Sequence, residues 1–351
     1  MSAGARPPRV ALIVGEGVGT EVMPHALRVL EAAGTSIEWL RVDVPRVTDD
    51  TATSLLDEVV EAVRTCGLGL KTRLLGPGGT GAGTEATVLR GPRNPNVELR
   101  QRLGLFAGIR PIRSFAGLPT RYPGLDVVLI RENTEDVYRG IEHEITAGVV
   151  QSLKVVTRTA CERVTRFAFD YAAQNRRKHM TFVHKANIMK RSDGLFLDVF
   201  RRIAAEHPEI ETRESIVDAC CMQLVLDPYR FDLILTGNLY GDILSSLGFG
   251  LAGGISAGLS INVGDDCRVF EAVHGDAPQI LGAGTANPLP LLRPAVALLR
   301  HLDQEAAAQR IRAAVSQVLE ARATLTPDLG GQATTSAMCD ALIGAITADR
   351  A

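Results

Sequence analysis

Short apolar runs of strand character alternate along this chain with longer segments whose apolar residues recur at helical spacing, and this alternation narrows the possible folds more than any other feature. Residues 9–14 read as a buried strand, 21–33 as a helix ended by Gly34, 37–44 as a strand and 53–65 as a helix. Further strands are expected at 126–131, 149–157, 179–184, 214–218, 231–236 and 268–271. Helices are expected at 159–175, 192–206, 239–250, 290–302, 304–320 and 334–346. The order predicts an α/β fold around a largely parallel sheet. The Gly/Pro-rich stretch 76–95 reads as a long loop, and loops of that length usually carry function.

Composition excludes several classes. The chain has 351 residues, 46% of them hydrophobic, enough to bury a sizeable interior. Its 38 basic and 40 acidic residues give a net charge of −2 with no long block of one sign, which argues against nucleic-acid and membrane-surface partners. No stretch approaches a membrane span, and the opening MSAGARPPRV lacks an apolar signal core. Six cysteines without CxxC spacing, two of them adjacent at Cys220 and Cys221, read as reduced thiols in a cytoplasmic protein.

Gly15-Glu16-Gly17-Val18-Gly19-Thr20 follows the first strand and resembles a dinucleotide-binding turn, with Asp43 near the end of the next strand. The last glycine of that pattern is absent, since position 20 is Thr20. The turn is therefore read as a tight strand-to-helix connection, not as the cofactor site.

Chemistry-bearing residues cluster further on. Arg100 lies on a short helix after Pro95, Arg110 precedes Pro111 at the end of an apolar run, and Arg131 ends a strand. Three arginines at element ends in so short a stretch point to a clamp for a polycarboxylate. Lys185 ends a mostly apolar strand, so it either pairs with an acid or shifts its pKa toward acid/base work. Asp218 at a strand end and Asp242 at the opening of a helix read as caps or as oxygen ligands for Mg²⁺ or Mn²⁺. With no His/Cys cluster, a zinc site is not expected. Tyr138 completes the set and, taken alone, reads as a packed ring with a wet hydroxyl.

Ordered blocks along nearly the whole chain resemble the isocitrate and 3-isopropylmalate dehydrogenase family of β-decarboxylating dehydrogenases, nearest the NAD-dependent isocitrate branch. They include Arg131-Glu132-Asn133-Thr134-Glu135, His184-Lys185-Ala186-Asn187, Asn238-Leu239-Tyr240-Gly241-Asp242, Phe270-Glu271-Ala272-Val273-His274-Gly275 and Asp328-Leu329-Gly330-Gly331. The resemblance implies a two-domain α/β fold with a central mixed, largely parallel sheet that is not a true Rossmann fold. Residues 1–105 with 253–351 would form a large cofactor-binding domain. Residues 106–252 would form a small substrate, metal and dimerisation domain with a clasp near 136–152.

The same resemblance implies an oxidoreductase acting with NAD and Mg²⁺ or Mn²⁺. Arg100, Arg110, Arg131, Asn94 and Asn96 would bind substrate, Tyr138 and Lys185 would be the acid/base pair, and Asp218 and Asp242 the metal ligands. His274, Gly275, Gln279, Ile280, Ala286 and Asn287 would hold the cofactor. Sites shared across a homodimer are implied, with Asp218 and Lys185 crossing to the other copy. The implied substrate is isocitrate or an analogue such as homoisocitrate or a phosphonomethylmalate. A non-catalytic regulatory subunit and a 3-isopropylmalate dehydrogenase are the alternatives.

Several positions depart from the family pattern. Ser246 replaces an acid one helical turn after Asp242. Asn94 stands where the isocitrate branch has Ser, while Asn94 and Asn96 are too polar for an alkyl-recognising turn. Arg93 matches an extra arginine of the homoisocitrate branch, and Thr84 or Thr87 would supply a nicotinamide-side hydroxyl. Gln279 replaces the acid that repels a 2′-phosphate, which predicts a leaky preference for NAD.

Overall fold

The computed structural model describes residues 6–47, 52–76 and 94–348, so the expectations attached to Thr84, Thr87 and Arg93 lie outside the described residues. The chain opens with β1 (Arg9–Gly15), α1 (Val18–Ala32), β2 (Glu38–Val44), α2 (Ala52–Cys66) and β3 (Leu68–Lys71). Next come α3 (Pro95–Arg102), β4 (Ala107–Arg113), β5 (Asp126–Glu132) and a hairpin of β6 (Glu142–Thr146) and β7 (Val149–Ser152). The middle continues through α4 (Arg158–Gln174), β8 (His179–His184), α5 (Ser192–Ala204), β9 (Glu211–Ile216), α6 (Val217–Leu226), β10 (Leu233–Thr236) and α7 (Asn238–Ala252). Two strands, β11 (Ser260–Val263) and β12 (Arg268–Glu271), precede α8 (Leu289–His301), α9 (Glu305–Ala321) and α10 (Thr335–Ala348).

Ten strands form one sheet in the order β2-β1-β3-β12-β11-β4-β5-β10-β8-β9. Its flanks are parallel and its centre is antiparallel: β12–β11, β11–β4 and β4–β5 run opposite to one another. Direction follows connection length. Helical crossovers deliver parallel neighbours, whereas the tight β11–β12 link, closed by Gly264 N–H donating to Cys267 C=O at 2.9 Å, makes a hairpin. Both faces are covered. Leu12, Val14 and Phe270 pack with α1 and α8–α10, while Ala11, Ile13 and Val269 pack with α2 and α3. Ile109, Val128 and Phe182 meet α4 and α5, and Ile112, Leu129 and Ile234 meet α6 and α7.

The mixed, largely parallel sheet expected from the sequence is present, with four corrections. The strand expected over 214–218 starts earlier and ends sooner: β9 runs Glu211–Ile216, and Asp218 sits in the first turn of α6. Arg110 lies inside β4 rather than at a strand end, because the strand continues through Pro111, which the central antiparallel pairing accommodates. The strand expected over 149–157 stops at Ser152, and Thr157 instead caps α4 by accepting from Ala160 N–H at 3.2 Å. Asp242 stands in the second turn of α7, not at its opening residue.

The Gly15–Thr20 turn is filled by protein. Gly15 N–H donates to Thr72 Oγ1 at 2.7 Å, and a Cβ at Gly15 would lie 2.0 Å from the Arg73 carbonyl oxygen. A Cβ at Gly19 would lie 2.7 Å from Thr72 Oγ1, and Gly17 adopts φ +92°. These glycines let the turn pack against the segment leaving β3. Asp43, meanwhile, is engaged by Arg41 at 2.8 Å. Gly15→Ala is therefore expected to lower the thermal midpoint by several degrees, a loss of about 2 kcal/mol. A variant as stable as the parent would show the turn to be slack rather than packed.

Candidate functional site

Arg131 is fully buried near the C-terminal end of β5. Its Nε donates to Asn238 Oδ1 at 2.8 Å, its Nη1 is paired with Asp242, and its guanidinium lies 4.9 Å from the Tyr138 ring centroid. Helix α7 can come this close because residue 241 is glycine: a Cβ there would meet the Arg131 side chain at 2.6 Å. The Tyr138 hydroxyl donates to Asp242 Oδ2 at 2.8 Å. Its turn is fastened on both sides. Asp136 accepts from Leu239 N–H at 3.2 Å, capping α7 in place of the featureless Gly237, and Gln101 donates to the Tyr138 carbonyl at 3.1 Å.

Two further arginines converge on this group. Arg100 reaches from the last turn of α3, and Arg110 is buried on β4. Behind them lies an ion pair that motif reading left without a role. Lys71 and Glu271, in register at the ends of parallel β3 and β12, are 2.7 Å apart. Glu271 also receives Arg100 at 3.3 Å and Asn262 Nδ2 at 2.9 Å, and Asn133 donates to Asn262 Oδ1 at 3.0 Å. The available signal was a charged residue closing each of two short apolar strands.

Electrostatics follow from this crowding. Burial pulls the Arg110 guanidinium down to about 9, helped by the like charges of Arg131 and Arg100. Burial alone would raise Asp242, but Arg131, the Tyr138 hydrogen bond and Arg110 outweigh it and hold the carboxyl below its ordinary range. Glu271 is likewise held low, with Lys71 and Arg100 overcoming burial. Tyr138 is pushed up, chiefly by burial, so its phenol keeps its proton. Three buried guanidinium nitrogens, Arg100 Nε, Arg110 Nε and Arg131 Nη2, have no hydrogen-bond partner. Excess positive charge and unmet donors from three separate elements are what a ligand with several carboxylates would satisfy.

The remaining expected residues fall into three groups. Asn94 caps α3, its Oδ1 accepting from Asn96 N–H and Asn96 Nδ2 at 3.0 Å each. The Asn96 amide is spent internally, accepting from Lys71 Nζ at 2.8 Å and donating to the Leu74 carbonyl at 2.8 Å. Lys185, just past β8, pairs with Asp218 at 2.5 Å, and the Asp218 side chain is 69% exposed. This pair is separate from the Arg131–Asp242 group within one chain. Among the described residues, no group of three His, Cys, Asp or Glu side chains could hold a metal ion.

The third group begins three residues beyond Glu271. His274, its pKa lowered mainly by burial, approaches the Gly275 carbonyl at 2.9 Å. The strip then runs between α1, where Gly282 N–H meets Glu21 at 2.5 Å, and the turn at 326–331. Gly275 and Gln279 are exposed, Ile280 packs partly on the core and Ala286 is buried. Asn287 donates to Asp328 and to Ser256, each at 2.7 Å.

Residues 9–342 match the family model described as isocitrate/isopropylmalate dehydrogenase. The chain is 43% identical over 340 residues to isocitrate dehydrogenase [NAD] subunit 2, mitochondrial, of Schizosaccharomyces pombe, covering 95% of this chain and 86% of the relative. It is 40% identical over 331 residues to 3-isopropylmalate dehydrogenase of Methanothermobacter thermautotrophicus, covering 94% and 96%. Among solved structures, isocitrate dehydrogenase from Methylococcus capsulatus superposes with a TM-score of 0.87 at 40% identity, covering 96% of this chain and 99% of that one.

Removing the Glu271 carboxylate tests the buried network. Glu271→Gln would leave Lys71 and Arg100 without their shared counter-charge and is expected to destabilise the fold by about 3 kcal/mol at neutral pH. Because Glu271 titrates lower in the folded chain, its contribution is complete above the ordinary glutamate value of about 4.3 and fades as pH falls below it. Denaturant titrations from pH 7 to 3 should show the gap between parent and variant narrowing in acid; a constant gap would assign the loss to packing.

Proposed function

Because the chain belongs to the isocitrate/isopropylmalate dehydrogenase family, we propose that it is an NAD-dependent enzyme converting a 2-hydroxy polycarboxylic acid to a 2-oxo acid and CO₂. The substrate is isocitrate or an analogue such as homoisocitrate or a phosphonomethylmalate. The observation that carries this reading is the convergence of Arg100, Arg110 and Arg131 with unmet buried donors beside Asp242 and Tyr138.

The arginines bind and orient the carboxylates, and the exposed Asn94 retains its amide N–H groups for a distal acid group. Lys185 of the partner subunit, directly or through water, takes the 2-hydroxyl proton, and Tyr138, held protonated on Asp242, delivers a proton to the enol carbon after CO₂ departs. NAD supplies the hydride acceptor, and a divalent ion supplies Lewis-acid polarisation of the substrate's 2-oxygen. The strip from His274 to Asn287 is the proposed NAD-binding segment.

Asp242 and Asp218 are hard oxygen donors suited to Mg²⁺ or Mn²⁺, but they lie in separate clusters of one chain. We assign the ion to Asp242 together with Asp218 of the partner subunit in a homodimer. Supporting this, the helices that carry these acids also expose Met222 and Leu226 on α6 and Ile243 on α7, and the β6–β7 hairpin exposes Ile145 and Val150. The proposed division joins residues 1–105 with 253–351 against 106–252, with the segment near 136–152 as the clasp between copies. It is supported by the sheet order, in which β2-β1-β3-β12-β11 from the chain ends adjoin β4-β5-β10-β8-β9 from the middle. No helix among the described residues is long and apolar enough to cross a membrane. The six free thiols support a reducing compartment, which we take to be the cytoplasm.

A second reading, a non-catalytic regulatory subunit, is favoured by Ser246, which lacks the carboxylate that would reinforce a metal one turn from Asp242. A third, 3-isopropylmalate dehydrogenase, is disfavoured by the polar Asn94. NADH formation by the purified chain with Mg²⁺ or Mn²⁺ and a panel of malate analogues separates them. Turnover is expected with at least one polyacid, whereas binding without turnover across the panel supports the regulatory reading. Lys185→Met should lower kcat by at least about a hundredfold while substrate binding stays measurable by calorimetry. Near-parental turnover in that variant would remove Lys185 from the proposed acid/base pair.

A further inference from the structure

The central strands present different residues to the two sides of the sheet. Arg110, Asn262 and Glu271 face the substrate site described above. Their neighbours Ile109, Pro111, Ile261 and Phe270 point the opposite way, as the two-residue period of a strand requires. On that far side, α4, α8 and α9 leave a cleft of about 1060 Å³. Its floor is apolar, with Phe115, Leu259, Leu292 and Val296 joining the strand residues.

The walls of this cleft are strongly basic. Arg113, Arg268, Arg293, Arg300 and Arg312 line it, against the carboxylates of Asp170 and Glu305 alone. Arg113 is met by Asp126 at 2.8 Å and Arg300 by Glu305 at 3.0 Å, while Arg268 contacts His301 at 3.2 Å. Arg293 and Arg312 have no carboxylate within ion-pair distance among the described residues. Arg293 is half-buried, stacked 3.9 Å from the Phe115 ring centroid, and its hydrogen bond is a long one of 3.4 Å to the Ser256 carbonyl. Its guanidinium is pulled down to about 9 by burial and then by the charges of Arg113 and Arg312.

We propose that this cleft is a binding site, distinct from the substrate site, for an amphipathic organic anion whose apolar body lies on the strand floor and whose acidic group meets Arg293 and Arg312. Both halves of the ligand are required by the lining. A small inorganic anion would satisfy the guanidinium groups and leave the apolar floor wet. A neutral apolar molecule would dry the floor and leave Arg293 without a counter-charge. The proposal does not depend on the reaction assigned to the opposite face.

Calorimetric titration of the purified full-length chain with octanoate, 1-octanol and inorganic phosphate tests it. Octanoate is expected to bind saturably at one site per chain, and the alcohol and phosphate to bind at least about tenfold more weakly. Arg312→Glu alters an exposed side chain and should raise the octanoate dissociation constant about tenfold. Arg293→Met should act in the same direction where near-UV circular dichroism shows it folded; if it does not fold, Arg312→Glu decides alone. Absence of saturable octanoate binding, equal binding of 1-octanol, or an unchanged constant in Arg312→Glu would each overturn the proposal.

Discussion

A fully buried guanidinium is costly unless its charge and donors are met, and Arg131 organises the site by imposing that requirement. Asp242 supplies the counter-charge, Asn238 accepts from Nε, and the Tyr138 ring covers the cation. These three partners come from α7 and from the turn after β5, so satisfying one arginine locks strand, turn and helix into one geometry. Gly241 is part of the same solution, since any side chain there would push α7 off the arginine stem. The second layer of charge, Lys71 with Glu271, plays a similar part under Arg100 and Asn96. Together the two ion pairs sit among three arginines close enough to repel one another.

The antiparallel centre of the sheet gives this arrangement its consequences. Strands β11, β4 and β12 join the run of strands from the two chain ends to the run from the middle. On one face these strands carry acids and bases with unmet donors nearby. On the other lies a cleft that is apolar beneath and basic at the walls. A single strand such as β4 serves both, with Arg110 on one side and Ile109 and Pro111 on the other.

Much of this was legible beforehand where one element decides the outcome. Strands β8 and β12 fall where the apolar runs placed them, and the helices of the C-terminal third lie within two residues of their expected limits. Arg100, Arg110, Arg131, Tyr138 and Asp242, gathered as candidates from separate stretches, do assemble. What was misread depended on neighbours. Residues 214–218 looked like one continuous strand because Ile216 and Val217 are β-branched, yet the chain turns into α6 there. The apolar run ends before Arg110 and Pro111, yet β4 continues through both to Arg113. Glu271 and Lys71 were visible as charges at strand ends, but only the parallel register of β3 with β12 makes them partners. The turn at Gly15–Thr20 reads as a tight connection from its motif, but its packing against Thr72 and Arg73 appears only in the fold.

Fold class, the ordered motif blocks of the family and the residue types available for chemistry follow from the amino-acid order, because periodicity and local motif spacing are properties of short stretches. Tertiary structure alone decided the direction of the central strands, the burial of Arg131 against Asp242, the commitment of Asn96 to the framework and the separation of the Lys185–Asp218 pair from the arginine cluster. Each of these is a distance between residues far apart in the chain. Burial, counter-charge and hydrogen-bond satisfaction act only once folding has brought such residues together.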